Sequence, residues 1–269
     1  MNNASCYFAG LAFLALAKGK HVISGYSSPK PITDVASCVE YDIHIAQRYL
    51  EHLAKLGETI QGKRVLELGP GSDLGVGLLL LRAGAQSYAA FDRFPLAKSA
   101  PGGIYEGLSK KGLVDLARLA EIRYEVDPSF DLLRAYPQEK FDLVLSNAAF
   151  EHFDDVPGTL NQVSQLLAPG GLLVCEVDLQ THSRWIREKD PNNIYRYPRW
   201  LYRLFYFPGQ PNRVRPNEYV RMLAKWTNVR MSPANQFDAT GRSVHSAFKA
   251  DPHLDWLSFV LAARTASGT

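Results

Sequence analysis

Residues 65–75 read VLELGPGSDLG, a short apolar strand that runs into a glycine turn and then into the start of a helix. Gly69 and Gly71 lack side chains, so the backbone can turn tightly there and approach a ligand closely. The helix that follows presents free N–H groups to the same turn. The stretch predicts a ligand site at the end of a strand, although a single glycine string of this kind also occurs in dinucleotide-binding proteins and in proteins that bind nothing.

Short β-rich runs alternate with helical patterns on both sides of this turn. Near-continuous apolar strands separated by helices predict a parallel sheet covered on both faces, which binds ligands beyond the carboxyl ends of its strands. The last two β-rich runs predict an antiparallel pair at the end of the chain. Strands are predicted at 65–68, 87–91, 122–126, 141–146, 172–177, 228–237 and 257–263, and helices at 39–56, 74–83 and 156–167.

The first 38 residues are predicted to form a helical segment and a strap. Residues 7–17 (YFAGLAFLALA) are apolar, but no Lys or Arg precedes them and the run is too short for a spanning helix. A helix packed on the body of the protein is expected; an interfacial anchor with peripheral membrane contact and a signal peptide are the alternatives. Residues 24–38 are rich in Ser and Pro, which is typical of a connecting strap.

Composition excludes several classes of protein. Apolar residues make up 46% and charged residues 21% of the 269, values of an ordinary folded chain. The net charge of +3 does not by itself indicate a nucleic-acid binder. The three cysteines Cys6, Cys38 and Cys175 fit a reducing, cytoplasmic compartment, and no spacing indicates a zinc site, so no metal is expected.

Residues 179–226 concentrate the basic character, with ten basic and three acidic side chains, so the rest of the chain is acidic. The same segment holds ten aromatic residues, and a helical cap over the sheet is predicted there. Arginines bind carboxylate or phosphate, and aromatic faces cover rings, sugars or acyl chains. Substrate binding is predicted for Arg184, Trp185, Arg213 and Arg215; a second core under a solvated cap and a groove for single-stranded RNA are the alternatives.

Three carboxylates sit where a nucleotide ligand would need them. Glu67 precedes the glycines, where an anion suits a cationic sulfonium amino acid better than a pyrophosphate. Asp92 ends the second strand, where an acid accepts hydrogen bonds from ribose hydroxyls, or caps a helix. Asp127 follows the third strand and meets an adenine amino group or starts a turn before Pro128.

Four motifs in order resemble class I S-adenosylmethionine-dependent methyltransferases: ELGPGSDLG, the strand-end Asp92, FDLVLSNAAFEHF at 141–153 and LLAPGGLLVCEVD at 166–178. NAAFEHF, VDLQTH and PNRVRPNEY look like the small-molecule branch of polysaccharide and natural-product pathways. Methyltransferases of exocyclic base amines usually carry Asn/Asp-Pro-Pro-aromatic at the fourth strand, and this chain has Ser146-Asn147-Ala148-Ala149-Phe150 instead. This departure disfavours a nucleic-acid base as the acceptor.

The resemblance covers about residues 39–178 and implies a role for each motif. It implies a Rossmann-like sheet of seven mostly parallel strands with helices on both faces. The cofactor-binding residues that it implies are Glu67, Gly69, Pro70 and Gly71 for the methionine part, Asp92 with Arg93 for the ribose, Asp127 for the adenine, and Asn147 beside the methyl group.

A hydroxyl acceptor must lose a proton during methyl transfer, and a neutral histidine suits that task. His152 and His182 both follow strands that should end at the cofactor, and Glu151 is a weaker candidate. Asp178 precedes His182 by four residues, so it could orient that ring if the segment is helical. Some enzymes of this type use no base, since proximity and desolvation suffice for a nucleophilic acceptor.

These observations together predict methylation of a small, anionic acceptor, a sugar or natural product, preferably at oxygen, with S-adenosylhomocysteine as the other product. Nucleic acid is not the expected partner, and the chain is expected to be a monomer or homodimer without a transmembrane span. An RNA or nucleotide methyltransferase, a non-catalytic cofactor-binding scaffold and a nicotinamide oxidoreductase are the rival readings. The predicted units are 1–38 (N-terminal segment), 39–178 (cofactor-binding core), 179–226 (cap) and 227–269 (C-terminal strands completing the core).

Overall fold

The computed structural model describes residues 3–25, 34–241 and 243–266, apart from the side chain of Arg184. A seven-stranded sheet forms its centre. Each of the seven predicted strands is present, with ends shifted by up to five residues. The strands are β1 (Arg64–Leu68), β2 (Ser87–Asp92), β3 (Arg123–Val126), β4 (Phe141–Asn147), β5 (Leu167–Asp178), β6 (Thr227–Gln236) and β7 (Trp256–Arg264).

The strand order is β3-β2-β1-β4-β5-β7-β6. The first five strands run parallel, and β7 is antiparallel to both β5 and β6. The direction of crossover reverses between β1 and β4, so the loops after these two strands diverge and leave a crevice at their carboxyl ends. The predicted Rossmann-like sheet with an antiparallel C-terminal pair is confirmed.

Helices cover both faces of the sheet because its strands are apolar on both sides. On one face Leu66 and Val144 pack with Leu160 and Val163 of a helix that follows β4. On the other face Val65 packs with side chains of the helices that precede and follow β1. The helices are α1 (Asn3–Ser24), α2 (Val35–Lys55), α3 (Gly75–Arg82), α4 (Gly102–Lys110), α5 (Leu132–Ala135), α6 (Val156–Leu166), α7 (Arg184–Arg187), α8 (Arg199–Leu204) and α9 (Pro216–Met222).

Helix α2 begins four residues earlier than the sequence predicts. Asp34 caps it, since its carboxylate accepts a hydrogen bond of 2.7 Å from the backbone N–H of Ser37. The end of the predicted strap is therefore helical, and residues 26–33 of the strap lie outside the described residues. The buried face of α2 contains Ala46 and Leu53 but also the polar Asp42 and Tyr49.

Helix α1 packs on the cap segment, residues 179–226. Asn193 donates to the carbonyl of Cys6 at 2.8 Å, and Tyr197 donates to the carbonyl of Tyr7 at 2.8 Å. Gly10 makes this approach possible, because a Cβ there would lie 1.8 Å from the side-chain oxygen of Asn193. The predicted docking of the N-terminal helix on the body of the protein is what the structure shows.

By length and composition alone, α1 could also cross a membrane; among the described residues it is the one helix of which this holds. Core helices and signal sequences at the start of a chain satisfy the same criterion. Only 11% of its apolar 18-residue stretch is buried, so most of the helix surface is at least partly exposed.

The cap builds a second core of its own. Ile194, Tyr195, Tyr197 and Tyr202 are buried together with Val244. Part of the aromatic content of residues 179–226 therefore stabilises the cap and does not face a ligand, which is the alternative that the composition left open.

Candidate functional site

A cleft of about 660 Å³ opens at the carboxyl ends of β1, β2, β4 and β5. Its walls come from the turns after these strands, from α2 and from the 207–211 loop of the cap, and α1 closes one side of its mouth. The volume lies within the range of sites for cofactor-sized ligands. The site therefore lies where a doubly wound sheet is expected to bind a ligand.

The glycine turn after β1 is held in a conformation that only glycine adopts without strain. Gly69 has φ +73° and Gly71 has φ +88°. A Cβ on Gly69 would lie 2.5 Å from the Cβ of Ala149, whereas a Cβ on Gly71 would meet no atom within 4 Å. Gly71 thus leaves open space above the backbone, as a turn that receives a ligand requires.

Glu67 is buried beneath this turn and lines the cleft. Its carboxylate accepts hydrogen bonds from the hydroxyls of Tyr49, at 2.8 Å, and Tyr88. Burial raises the pKa of Glu67 to about 7, although the two tyrosine hydroxyls act in the opposite direction. A cationic ligand in the cleft would favour the ionised form, so the position fits a sulfonium amino acid.

Asp92 ends β2 and lines the cleft with Arg93. Burial raises the pKa of Asp92 to about 6, and backbone N–H groups of residues 71, 93 and 94 oppose that rise. Arg93 forms an ion pair of 2.7 Å with Asp154. The carboxylate of Asp92 is thereby placed beside the glycine turn, where ribose hydroxyls are expected.

Asp127 does not line the cleft, and its predicted contact with adenine receives no support from its position. Its carboxylate accepts a hydrogen bond from the Ser129 hydroxyl at 2.7 Å and pairs with Arg134. Burial favours a higher pKa, but these hydrogen bonds prevail and lower the pKa of Asp127 to about 2. Asp127 therefore organises the turn after β3, and its neighbours Ser129 and Phe130 line the cleft in its place.

His152 and His182 meet in the wall of the cleft, with ring centroids 4.7 Å apart. Nδ1 of His152 lies 2.5 Å from the carbonyl oxygen of Gly209, and Nδ1 of His182 lies 3.2 Å from that of Gln180. Burial lowers the pKa of both rings, that of His182 to about 3. Both imidazoles are consequently neutral near pH 7.

The predicted orientation of His182 by Asp178 is wrong. Residues 179–183 are not helical, so the spacing of four residues does not bring the two side chains together. The carboxylate of Asp178 instead accepts hydrogen bonds from Arg187, at 2.6 Å, and from the backbone N–H of Gln180. Asp178 acts on the site by fixing Arg187, which lines the cleft.

Three of the four substrate-binding residues predicted in the cap, Trp185, Arg213 and Arg215, do not line the cleft. Arg213 donates to the carbonyls of Ile194 and Tyr197 and lies over the ring of Tyr202. Arg215 pairs with Asp251 at 2.6 Å, with both side chains buried.

Trp185 is 81% exposed, and the side chain of Arg184 lies outside the described part of the chain. The buried Arg213 and Arg215 stabilise the cap, because a buried guanidinium must be paired with carbonyl or carboxylate oxygens and these oxygens belong to the protein itself.

Several lining residues were not foreseen from the sequence. Lys20 and His21 reach the cleft from α1, and Phe207 reaches it from the cap, where it stacks on His21 with centroids 5.3 Å apart. Tyr49 and Tyr88, whose hydroxyls hold Glu67, were not singled out by the sequence either. Their role follows from the closeness of their hydroxyls to the buried carboxylate of Glu67, and the sequence does not show which residues are close in space.

The cofactor-binding residues expected from the family are otherwise brought together. Glu67, Gly69, Pro70, Gly71, Asp92, Arg93 and Asn147 all line the cleft. The open space at Gly71 and the two buried carboxylates fit S-adenosylmethionine, which carries a cationic sulfonium and ribose hydroxyls.

Comparisons with known proteins agree with this geometry. The family model of a methyltransferase domain matches residues 41–226. A proposed sarcosine dimethylglycine methyltransferase from Galdieria sulphuraria is similar in structure, with TM-score 0.51 and 14% identity over 84% of this chain and 86% of that one.

Two further solved structures are similar to this chain. The CurJ carbon methyltransferase has TM-score 0.48 and 18% identity over 98% of this chain and 68% of its own. A Mesorhizobium loti S-adenosylmethionine-dependent methyltransferase has TM-score 0.47 and 19% identity over 80% of this chain and 96% of its own.

No curated protein matches the sequence. The family model nevertheless covers more than half of the chain, including the glycine turn, Asp92 and the two histidines. The chain therefore belongs to the methyltransferase domain family and is a class I enzyme that uses S-adenosylmethionine as its cofactor.

Proposed function

We propose that this methyltransferase transfers the methyl group to an oxygen of a small acceptor, an anionic sugar or natural product, in a biosynthetic pathway. The observation that carries the proposal is the pair of neutral histidines, His152 and His182, in the wall of the same cleft as the glycine turn. Neutral imidazoles can take the proton that a hydroxyl loses, whereas an acceptor that is already ionised needs no such group. The anionic class rests on Lys20 and Arg187, which both line the cleft.

The chain's own residues divide the work between binding and proton removal. Bound S-adenosylmethionine supplies an activated methyl group on a good leaving group. Glu67, Asp92 and the glycine turn hold and orient it, while α1 and Phe207 screen the cleft from water. A hydroxyl that gains a methyl becomes strongly acidic, so even a weakly basic imidazole removes its proton as transfer proceeds.

Incubating the purified protein with S-adenosylmethionine and a panel of sugars, sugar acids and phenols tests the proposal. Mass spectrometry should show an acceptor heavier by one methylene group, together with an equal amount of S-adenosylhomocysteine. Nuclear magnetic resonance of the product then locates the new methyl. A methyl on nitrogen or carbon, or turnover on RNA oligonucleotides instead of small acceptors, would contradict the oxygen assignment.

We also propose that the protein is cytoplasmic, monomeric or homodimeric, and contacts a membrane peripherally through α1 and the cap. Lys18 reaches the carbonyl of Leu204 at 2.7 Å, so the exposed apolar side chains of α1 and α8 lie on adjoining surfaces. Exposed basic residues accompany them, and α1 contains no acidic residue. We assign to this patch the exposed apolar side chains of α1, α7 and α8, which are Phe8, Leu16, Val22, Ile23, Trp185, Trp200 and Leu204. Exposed basic residues in or next to the same helices are Lys20, Lys189, Arg199 and Arg203.

An anionic bilayer surface complements this patch in charge and in polarity. We expect the protein to sediment with vesicles containing phosphatidylglycerol and far less with phosphatidylcholine alone. Ile23→Asp should abolish most of this binding, because Ile23 is 86% exposed and its substitution places a charge in the patch. Leu116→Asp is the matched control, since Leu116 is 40% exposed elsewhere on the surface. Equal binding of both variants and the parent would contradict membrane contact through the patch.

A further inference from the structure

We propose that Glu151, His152 and His182 form a binding site for one divalent transition-metal ion in the wall of the cleft. One potential ligand atom from each of the three residues lies within 4.8 Å of the others. The inference rests on the proposed oxygen methylation and changes the role of the two histidines, which then bind the ion that activates the acceptor oxygen instead of taking the proton themselves.

Glu151 provides the strongest reason to place an ion there. Its side chain is buried, at 3% exposure, and neither carboxylate oxygen accepts a hydrogen bond of ordinary geometry from the described residues, although the backbone N–H groups of Glu151 and Asp178 lie nearby. A buried polar group without a partner costs free energy that a bound ion would offset. The residue lines the cleft, so an ion could reach it from solvent.

The two histidines are oriented as metal ligands usually are. Each ring has its Nδ1 against a backbone carbonyl, that of Gly209 or of Gln180. If Nδ1 carries the proton and donates to that carbonyl, Nε2 keeps its lone pair. A backbone carbonyl behind a ligating imidazole is the common arrangement that fixes the tautomer and orients the ring.

Three separate segments hold the cluster in place. Glu151 and His152 belong to the short helical turn Phe150–His152 after β4, and His182 follows β5. Asn212 of the cap donates from its side chain to the carbonyls of Phe150 and Phe153 and from its backbone to that of Glu151. The cap therefore holds the cluster in place. Its ligand atoms lie up to 4.8 Å from one another, and they must approach one another by about 1 Å for a single ion to lie 2.0–2.2 Å from each.

Two imidazoles and one carboxylate suit zinc, manganese or iron(II), and they leave coordination positions open toward the cleft. An acceptor with two neighbouring oxygens, such as a vicinal diol, would fill two of those positions. The ion would lower the pKa of the bound hydroxyl so that its proton leaves to water. The resulting alkoxide then attacks the methyl carbon: one O–C bond forms, the C–S bond breaks, and S-adenosylhomocysteine is released.

Calorimetric titration of metal-free protein with Zn²⁺ and Mn²⁺ tests the site. We expect one ion per chain, and a loss of at least tenfold in affinity for Glu151→Gln and His182→Ala. His44→Ala is the matched control, because His44 is exposed on α2 outside the cleft, and it should bind like the parent. Unchanged metal affinity in both cluster variants would overturn the proposal, as would the absence of binding by the parent.

Two further measurements keep the outcome interpretable. Titration of every variant with S-adenosylmethionine shows whether the fold and the cofactor site persist. The Co²⁺ absorption spectrum of the parent reports nitrogen and oxygen coordination without any variant, and a spectrum equal to that of aqueous Co²⁺ would overturn the site. Oxygen methylation that survives complete chelation refutes the metal and leaves the proposed function standing, whereas the absence of any oxygen acceptor refutes the proposed function even if metal binds.

Discussion

His182→Ala should lower kcat by about 10²- to 10⁴-fold, the usual contribution of a positioned proton acceptor. The ring of His182 stands against that of His152 in the cleft wall, and its Nδ1 faces the carbonyl of Gln180, so Nε2 is the atom left for an acceptor or an ion. Removing the imidazole removes that atom without touching the residues expected to hold the cofactor. Steady-state rates at saturating S-adenosylmethionine, with cofactor affinity measured separately, check the expectation.

The control for this variant is His44→Ala, which should retain the parent kcat because His44 is exposed outside the cleft. His152→Ala should also lower kcat, and the larger loss identifies the residue closer to the reacting hydroxyl. A His182→Ala enzyme with normal kcat would show that proton removal occurs elsewhere or is not needed. If the loss reflects a base, it persists with chelator present; if it reflects a lost ion, the parent treated with chelator falls to the same rate.

Asp92→Ala should weaken S-adenosylmethionine binding by about 10- to 150-fold, equivalent to about 1.5–3 kcal/mol for hydrogen bonds to a charged group. Asp92 lines the cleft at the end of β2, beside Gly71. Its carboxylate is desolvated there, which strengthens its hydrogen bonds to a ligand hydroxyl. Calorimetric titration with S-adenosylmethionine and S-adenosylhomocysteine measures the loss, which should be equal for both because they share the ribose.

The pH dependence of binding gives Asp92 a second signature. Burial raises the pKa of its carboxyl to about 6 in the free protein, so the carboxylate is ionised above that pH and protonated below it. Cofactor affinity should therefore fall as the pH is lowered through about 6, and Asp92→Asn should lose this part of the dependence. Glu67, whose pKa is raised to about 7, contributes a decline at higher pH that both proteins should share. An Asp92→Asn profile identical to that of the parent would show that Asp92 does not bind the ribose.

The cofactor half of the site could be predicted from sequence because its signals are local. Gly69 and Gly71 follow β1 directly, and Asp92 and Asn147 end strands that parallel pairing brings to one edge of the sheet. The carboxyl ends of neighbouring parallel strands lie at one edge of the sheet, so residues at these ends come together regardless of the loop conformations. Asp127 also follows a strand, but its neighbours Ser129 and Arg134 engage its carboxylate first.

The acceptor-binding half of the site could not be predicted. Whether a charged side chain binds a ligand or stabilises the protein depends on its burial, which the sequence does not show. The arginines of the cap looked alike in sequence, yet Arg213 and Arg215 lie inside a second core while Arg187 lines the cleft. Glu151 and His182 are 31 residues apart and meet only because β4 and β5 are neighbours. No local signal in the sequence indicates that the carboxylate of Glu151 is buried without a hydrogen bond of ordinary geometry.

The attachment of α1 to the cap also has a consequence for synthesis of the chain. The partners of Asn3, Cys6, Tyr7 and Lys18 follow them by 186 to 193 residues. At 5–20 residues per second, a ribosome takes roughly 10–40 s to deliver those partners after α1 has emerged. During that interval the apolar helix is translated but has no docking site, so chaperones and lipid surfaces have first access to it. The cleft acquires the wall that α1 forms only after residues 193–204 have been synthesised.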